Sequence, residues 1–252
     1  MSDTSKREGN GTGVLYLVAT PIGNLEDMTF RAIRVLKEAD LIAAEDTRNS
    51  IKLLNHFEIK TAMTSYHEHN RYDKGYQLIE LLESGKNIAV ITDAGTPGIS
   101  DPGEVLVKMA VEKGIAVVPI PGAVAGIAAL IASGKSTRRF AFEGFLPAEK
   151  KEREIVLDSL RDERRTMVIY EAPHRLLKAL KELSLTLGEN RCVSICKELT
   201  KKHEGYLRTT LGEAVRMYET GDSSPKGEYV LVIEGKPEEE IKKENEARWK
   251  DI

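Results

Sequence analysis

Ile88-Ala89-Val90-Ile91-Thr92-Asp93-Ala94-Gly95-Thr96-Pro97-Gly98-Ile99-Ser100-Asp101-Pro102-Gly103 is the stretch that decides the fold. Its first four residues are an unbroken apolar run, which predicts a buried strand. The remaining residues hold three glycines and two prolines, a longer break than a tight turn requires. Asp101-Pro102-Gly103-Glu104 then predicts a helix start, with Asp101 as cap, Pro102 at the first position and Glu104 placed for a capping box. A strand, a long loop and a helix in that order bring backbone N–H and C=O groups to the carboxyl edge of a sheet, where open α/β folds bind ligands. Gly95 and Gly98 have no side chain, so a ligand can approach the backbone closely. The same residues also admit a plain structural turn.

The pattern repeats outward from this loop. Upstream, residues 14–19 read as a strand, followed by the turn-rich Thr20-Pro21-Ile22-Gly23-Asn24. A helix capped by Asp27 is expected to run to about Glu38, with Ile33 and Leu36 on its apolar side. Residues 41–44 form a short strand ending in Glu45-Asp46-Thr47-Arg48. These four read either as a capped helix start or as a functional cluster at a sheet edge. Residues 64–70 are polar, and His67 and His69 flank Glu68 without a third convincing metal ligand, so a loop is expected and no metal. Residues 71–84 predict an amphipathic helix with Tyr72, Tyr76, Ile79 and Leu82 on its apolar face.

Downstream, residues 105–113 predict a helix and 115–119 a strand. Small residues from Pro121 to Gly134 predict a closely packed helix with free N–H groups in its first turn. This alternation predicts a parallel α/β domain over 14–134. Residues 134–139 read as a linker. A second series covers 135–236, with strands at 140–145, 166–170, 191–196 and 229–234. Its helices are expected at 149–162, from Leu176 to Leu187, and at 209–220. Residues 1–13 read as a flexible tail and 237–252 as a charged one.

Composition bounds the function. The chain has 252 residues, 41% apolar and 31% charged, with a net charge of −3, which fits a globular protein. The charge is uneven. Residues 135–226 carry 19 Lys and Arg against 15 Asp and Glu, and the remainder 18 against 25. A basic half on an acidic chain suits a polyanion, and an ordinary solvated surface gives the same count. Cys192 and Cys196 read as small apolar strand residues. No apolar run spans a bilayer and no signal peptide opens the chain, which points to the cytoplasm.

Six motifs occur in order: Ala19-Thr20-Pro21-Ile22-Gly23-Asn24-Leu25, Glu45-Asp46-Thr47-Arg48, the loop 93–103, Tyr170-Glu171-Ala172-Pro173-His174-Arg175, Lys197-Glu198-Leu199-Thr200-Lys201 and Lys226-Gly227-Glu228. Together they resemble the tetrapyrrole methylase superfamily, in its branch acting on small-subunit ribosomal RNA. The resemblance covers residues 14 to about 236. It implies two α/β domains of the class III methyltransferase type with the cofactor in the interdomain cleft. It implies S-adenosylmethionine as methyl donor, a homodimer, and 2′-O-methylation of a cytidine in the decoding region of small-subunit ribosomal RNA, as free RNA or assembled subunit. No Gly-x-Gly-x-x-Gly follows the first strand, in keeping with a fold other than the Rossmann type.

The resemblance also distributes roles. Cofactor contacts fall on Pro21, Asp93, Ala94, Gly95, Thr96, Ile99, Ala123, Val124, Ala125, Tyr170 and Gly227. Methyl transfer to a hydroxyl calls for alignment and a base, which points to Glu45, Asp46, Arg48 and His67, with Glu171 and Glu198 as further carboxylates at strand ends. Arg175, Lys197, Glu198 and Lys201 are expected at the RNA. Two alternatives stand beside this reading. One is a tetrapyrrole or diphthamide-type methyltransferase on the same fold, and the other is a non-catalytic ribosomal RNA-binding protein. Against the latter, no strand reads as an aromatic-rich RNA-binding surface, and the glycines concentrate in one deep loop.

Overall fold

The computed structural model describes residues 11–221, 225–239, 241 and 242. The expected tails at 1–13 and 237–252 therefore lie mostly outside the described residues. Two compact units divide between Val124 and Ala125, ten residues before the expected boundary at 134/135.

The first unit alternates strand and helix: β1 (Val14–Val18), α1 (Phe30–Glu38), β2 (Leu41–Ala44), α2 (Thr47–His56), β3 (Met63–Ser65), α3 (Arg71–Glu83), β4 (Ile88–Ile91), α4 (Glu104–Glu112) and β5 (Ala116–Ile120). The sheet order is β3-β2-β4-β1-β5 and every pairing is parallel. Both faces are covered, as such a sheet requires. Val35, Leu36 and Leu54 of α1 and α2 close one face, and Leu78, Leu82, Leu106 and Ala110 of α3 and α4 close the other. All four residues of β4 are buried, which explains its continuous apolar run. Each fully buried Leu or Ile contributes about 1.5–3 kcal/mol.

Local details depart from expectation. Thr29, not Asp27, caps α1, its side chain accepting from the Ala32 N–H; Asp27 closes a short 3-10 turn before it. On α3 the buried stripe is Gly75, Leu78, Ile79 and Leu82, while Tyr72 and Tyr76 are 54% and 62% exposed. Gly75 shifts the stripe, because its bare Cα packs against the Met109 sulfur, where a Cβ would come within 3.0 Å. A glycine carries no apolar signal, so the sequence pattern phases on the tyrosines instead.

The second unit comprises α5 (Ala125–Ala132), β6 (Phe140–Phe145), α6 (Lys150–Leu160), β7 (Thr166–Glu171), α7 (Leu176–Leu187), β8 (Cys192–Lys197), β9 (Gly205–Thr210), α8 (Leu211–Thr220) and β10 (Tyr229–Ile233). Its sheet runs β6-β7-β10-β8-β9. Only β6 and β7 are parallel; β10 pairs antiparallel with β7 and β8, and β8 with β9. Met167, Ile169, Leu180, Leu183, Leu231 and Ile233 form the core on one face. The small residues of α5 meet the other face of this sheet, with Gly126 against Val168, Tyr170 and Phe142. That packing is why the helix belongs to the second unit. The sequence pattern does not reveal β9. Its alternation, Tyr206 out and Leu207 in, is half-exposed, and its last two residues fall where a helix from Thr209 was expected; the helix starts at Leu211, with Thr210 as its cap.

Candidate active site

All five strands of the first sheet end on one rim. The chain leaves β1 toward β2 over one face and leaves β4 toward β5 over the other, and β1 and β4 are neighbours. Their loops therefore diverge at the topological switch point, the place where open α/β sheets bind ligands. The loops are stitched together by backbone. Thr20 and Gly95 exchange N–H···O bonds of 2.8 and 3.1 Å, and the Thr20 hydroxyl donates to the Thr92 carbonyl at 3.2 Å. The Thr96 hydroxyl donates to the Ala123 carbonyl at 3.1 Å. Gly95 has φ +83°, which L side chains rarely adopt. Pro21 and Gly95 are buried, Thr96, Ala123 and Val124 half-buried, and Asp93, Ala94 and Ile99 exposed. The loop after β4 and residues 123 and 124 thus form one ledge, on which Ala94 and Ile99 face out beside the Asp93 carboxylate.

Carboxylates gather beside this ledge. The Asp93 N–H donates to Glu45 Oε2 at 3.2 Å, and Asn49 Nδ2 donates to Asp93 Oδ2 at 3.0 Å. Burial raises the Glu45 carboxyl above its ordinary value; the Asp93 N–H opposes that shift, and the charges of Asp93 and Asp46 add to it. His67 follows β3 and bears electrostatically on Glu45; its Nδ1 is buried with no hydrogen-bond partner among the described residues. Asp46 and Arg48 behave differently. Asp46 caps α2 by accepting from the Arg48 N–H at 2.8 Å, and its carboxylate grips the Arg48 guanidinium from Nε at 3.1 Å and NH2 at 2.7 Å. The Arg48 side-chain bond holds Asp46 down at about 2.

Asp101 is the residue that sequence reasoning placed wrongly. It does not cap α4. Gly103 occupies that position at φ +150°, with no side-chain cap bond. A Cβ on Gly103 would meet the Gly98 nitrogen at 3.0 Å, so the loop folds back on itself and turns Asp101 inward. Burial first, then the charges of Glu45 and Asp93, push its carboxyl up to about 7, against a hydrogen bond from Thr92. The signal lay in the loop's two carboxylates, Asp93 and Asp101; Asp-Pro-Gly-Glu masked it by matching a capping motif. Glu45, Asp93, Asp101 and His67 thus share one rim.

The second unit treats its motif charges otherwise. Glu171 is buried, with Arg153 NH2 at 3.8 Å and Arg175 Nε at 3.4 Å. Arg175 NH2 donates to the Leu146 carbonyl at 2.6 Å, and Arg153 Nε to Glu182 at 2.5 Å. Arg175, expected at RNA phosphates, ties the ends of β6 and β7 together through these contacts. Glu198 accepts from the Glu228 N–H at 2.9 Å and from Lys201 Nζ at 3.0 Å, and Lys201 also reaches Glu228 at 2.9 Å. Gly227 lies against the Glu198 side chain, where a Cβ would clash. Glu198 and Lys201 therefore join two motifs of the fold to each other. Lys197 ends β8 half-buried and makes no ion pair among the described residues. The Tyr170 hydroxyl accepts from the Gly126 N–H at 2.8 Å, and Ala125 opens α5.

The chain is similar to known proteins in sequence and in fold. The model of the tetrapyrrole (corrin/porphyrin) methylases matches residues 14–215. Ribosomal RNA small subunit methyltransferase I of Halalkalibacterium halodurans is 54% identical over 97% of this chain and 83% of its own length. The protein of the same name from a Synechocystis species is 52% identical over 95% and 85%. Among solved structures, uroporphyrin-III C-methyltransferase from Thermus thermophilus, complexed with S-adenosyl homocysteine, superposes with a TM-score of 0.59 at 19% identity, over 88% of this chain and 97% of that one.

Proposed function

Because the chain belongs to the tetrapyrrole methylase family, and within it to the ribosomal RNA small subunit methyltransferase I group, we propose that the switch-point rim of its first unit serves transfer of a methyl group to a cytidine ribose 2′-hydroxyl. The chain is an S-adenosylmethionine-dependent methyltransferase of small-subunit ribosomal RNA. The observation that carries the site assignment is the rim itself: a backbone-stitched ledge with Glu45, Asp93 and Asp101 gathered beside it.

The residues present fit the cofactor. Its sulfonium and ammonium are cationic, and a rim of carboxylates attracts cations. Pro21, Gly95, Thr96, Ala123 and Val124 fix the ledge, and the exposed Ala94 and Ile99 leave small or apolar surface for the adenosine. When bound, S-adenosylmethionine supplies an activated methyl group on a positively charged sulfur. The protein's own work is alignment and proton management. A ribose hydroxyl attacks well only as its proton leaves, and a base with a pKa near the working pH takes that proton best. Asp101 at about 7 matches that demand. Glu45 and the His67 ring hold and orient the hydroxyl beside it. Arg48, exposed at the start of α2, meets a flanking phosphate.

The same reading gives a homodimer, and a cytoplasmic place where the substrate is free RNA or the assembled subunit. No described helix is long and apolar enough to cross a membrane. The test is incubation with methyl-labelled cofactor and unmodified small subunits, followed by mass mapping of the RNA. Ribose methylation of one cytidine is expected. Label entering a porphyrinoid and none in RNA would overturn the reading.

A further inference from the structure

The second unit carries an aromatic strand that composition concealed. β6 is an edge strand, paired only with β7 among the described residues. Ala141 pairs with the core residue Met167, so Phe140 and Phe142 point to the opposite face. The register shifts between Phe142 and Gly144. This bulge returns Phe145 to the same face as Phe140 and Phe142, opposite Tyr170. The three phenylalanines are 37%, 38% and 51% exposed. Phe142 and Phe145 stand edge-on to the Tyr170 ring, at 5.1 and 5.6 Å between centroids, and the Tyr170 hydroxyl is fixed by the Gly126 N–H. The Phe142 and Phe145 rings are thus held from behind while much of their surface, and of Phe140, stays open. By the ordinary rise of a strand, Phe140 and Phe145 lie about 15 Å apart, room for more than one base.

Charge identifies the occupant. Arg138 and Arg139 immediately precede the strand, both exposed, and neither guanidinium makes an ion pair with a described residue. From Lys135 to Phe145 there are three cations and one carboxylate. Exposed rings beside unpaired arginines are the combination that holds single-stranded nucleic acid, bases on the rings and phosphates on the cations. An apolar edge alone would suit any strand-like partner; the two arginines select a polyanion. We propose that β6, led by Arg138 and Arg139 and faced by Phe140 and Phe145, is a stacking platform for unpaired bases of the RNA substrate. The inference rests on the reading of the chain as an RNA methyltransferase and adds the place where unpaired RNA is held. It also revises the expectation that no strand of this chain is an aromatic RNA surface.

The probe is a fluorescein-labelled, unstructured oligoribonucleotide of about ten residues, titrated by anisotropy at several salt concentrations. Phe140→Leu and Phe145→Leu keep the apolar bulk and remove the stacking face. Each is expected to weaken binding about tenfold while leaving the salt dependence unchanged. Arg138→Gln with Arg139→Gln is expected to flatten the salt dependence, by about 0.7 in logarithmic slope for each phosphate no longer neutralised. Phe145→Tyr restores a ring and is expected to bind as the unaltered chain does. S-adenosylhomocysteine affinity by calorimetry stays unchanged in all four. Wild-type RNA affinity in both leucine variants overturns the platform. So does dissociation of a dimer by those variants at unchanged RNA affinity, which makes the edge a subunit interface. If the unaltered chain transfers no methyl group to small subunits, the reading of the protein fails instead, a result separable from either.

Discussion

The two units use the same kind of sequence signal, charged residues just past a strand, to opposite ends. In the first, Glu45 and Asp101 are held above their ordinary carboxylate values, and a buried His67 nitrogen has no partner among the described residues. In the second, Glu171 is bracketed by Arg153 and Arg175, and Glu198 by Lys201 and the Glu228 N–H. Carboxylates left without a paired cation among the described residues at a parallel rim are available for binding and proton transfer. Charges answered in pairs fix the loops of a mixed sheet. Strand direction does not make the difference. In the first sheet all carboxyl ends meet on one edge, and in the second β6, β7 and β8 also run the same way, with Glu171 and Lys197 both opposite Tyr229 of β10; what differs is that arginine and lysine side chains reach the carboxylates of the second edge.

The sharpest way to break this comparison is to remove the unanswered carboxylates. Asp101→Asn is expected to slow single-turnover methylation of small subunits by about 10²- to 10⁴-fold, with cofactor affinity little changed. Glu45→Gln tests the orienting role in the same assay. For the unaltered chain the rate should rise with pH up to about 7 and then level off, as Asp101 loses its proton. The rising limb should vanish in Asp101→Asn. Stability should move the other way. A carboxyl raised in the folded state favours folding below its unfolded value of 3.8, and that contribution is lost as pH rises through about 7. Asp101→Asn is therefore expected to be more stable than the unaltered chain at pH 8. A normal rate in both variants would place the base elsewhere.

The complementary cut is in the second unit. Arg153→Met leaves the buried Glu171 without one cation and Glu182 without its hydrogen bond. Breaking a buried pair from one side costs about 3–5 kcal/mol, to be read from urea unfolding. Turnover per folded molecule should stay within a few-fold, since these residues hold loops and touch no reacting atom. A variant of normal stability and collapsed rate would reverse the assignment and make the Arg153–Glu171 pair part of the chemistry.

Much of the first unit was legible because parallel strands are short, continuous and apolar, and glycine and proline punctuate them. The stretch 88–103 announced its strand, its loop and a helix beyond. What it hid was direction. Asp101 lies in a sequence that matches a helix cap, but the backbone around it, with Ser100 at φ +60° and Gly103 at φ +150°, leaves Gly103 in the cap position instead. The second unit was harder to read, because antiparallel order is not written in local pattern: β9 is half-exposed and merges into a helix cap at Thr210. Pairings such as Glu198 with Lys201 and Glu228 are tertiary. A lysine expected at a phosphate and a lysine closing a loop look alike until a carboxylate from a distant part of the chain arrives.

The smallest expected effect separates two roles within one motif. Glu45 and Asp46 are adjacent, yet only Glu45 faces the rim carboxylates; Asp46 binds the first turn of α2 and its own Arg48. The Arg48 bonds hold Asp46 at about 2, too low for a base that must take a proton near neutrality. Its contribution is a cap, present above the unfolded value of 3.8 and lost as pH falls toward about 2. Asp46→Asn preserves an acceptor for the Arg48 N–H and should melt within about a degree of the unaltered chain. Asp46→Ala removes the acceptor and should lower Tm by about 2–4 °C at neutral pH, with the gap closing below about pH 3 because the carboxylate it replaces is then being protonated. Releasing Arg48 should leave the methylation rate nearly intact and shift only the apparent affinity for the subunit. A rate loss in Asp46→Asn as large as in Asp101→Asn, at unchanged Tm, would move Asp46 from helix cap to catalytic residue.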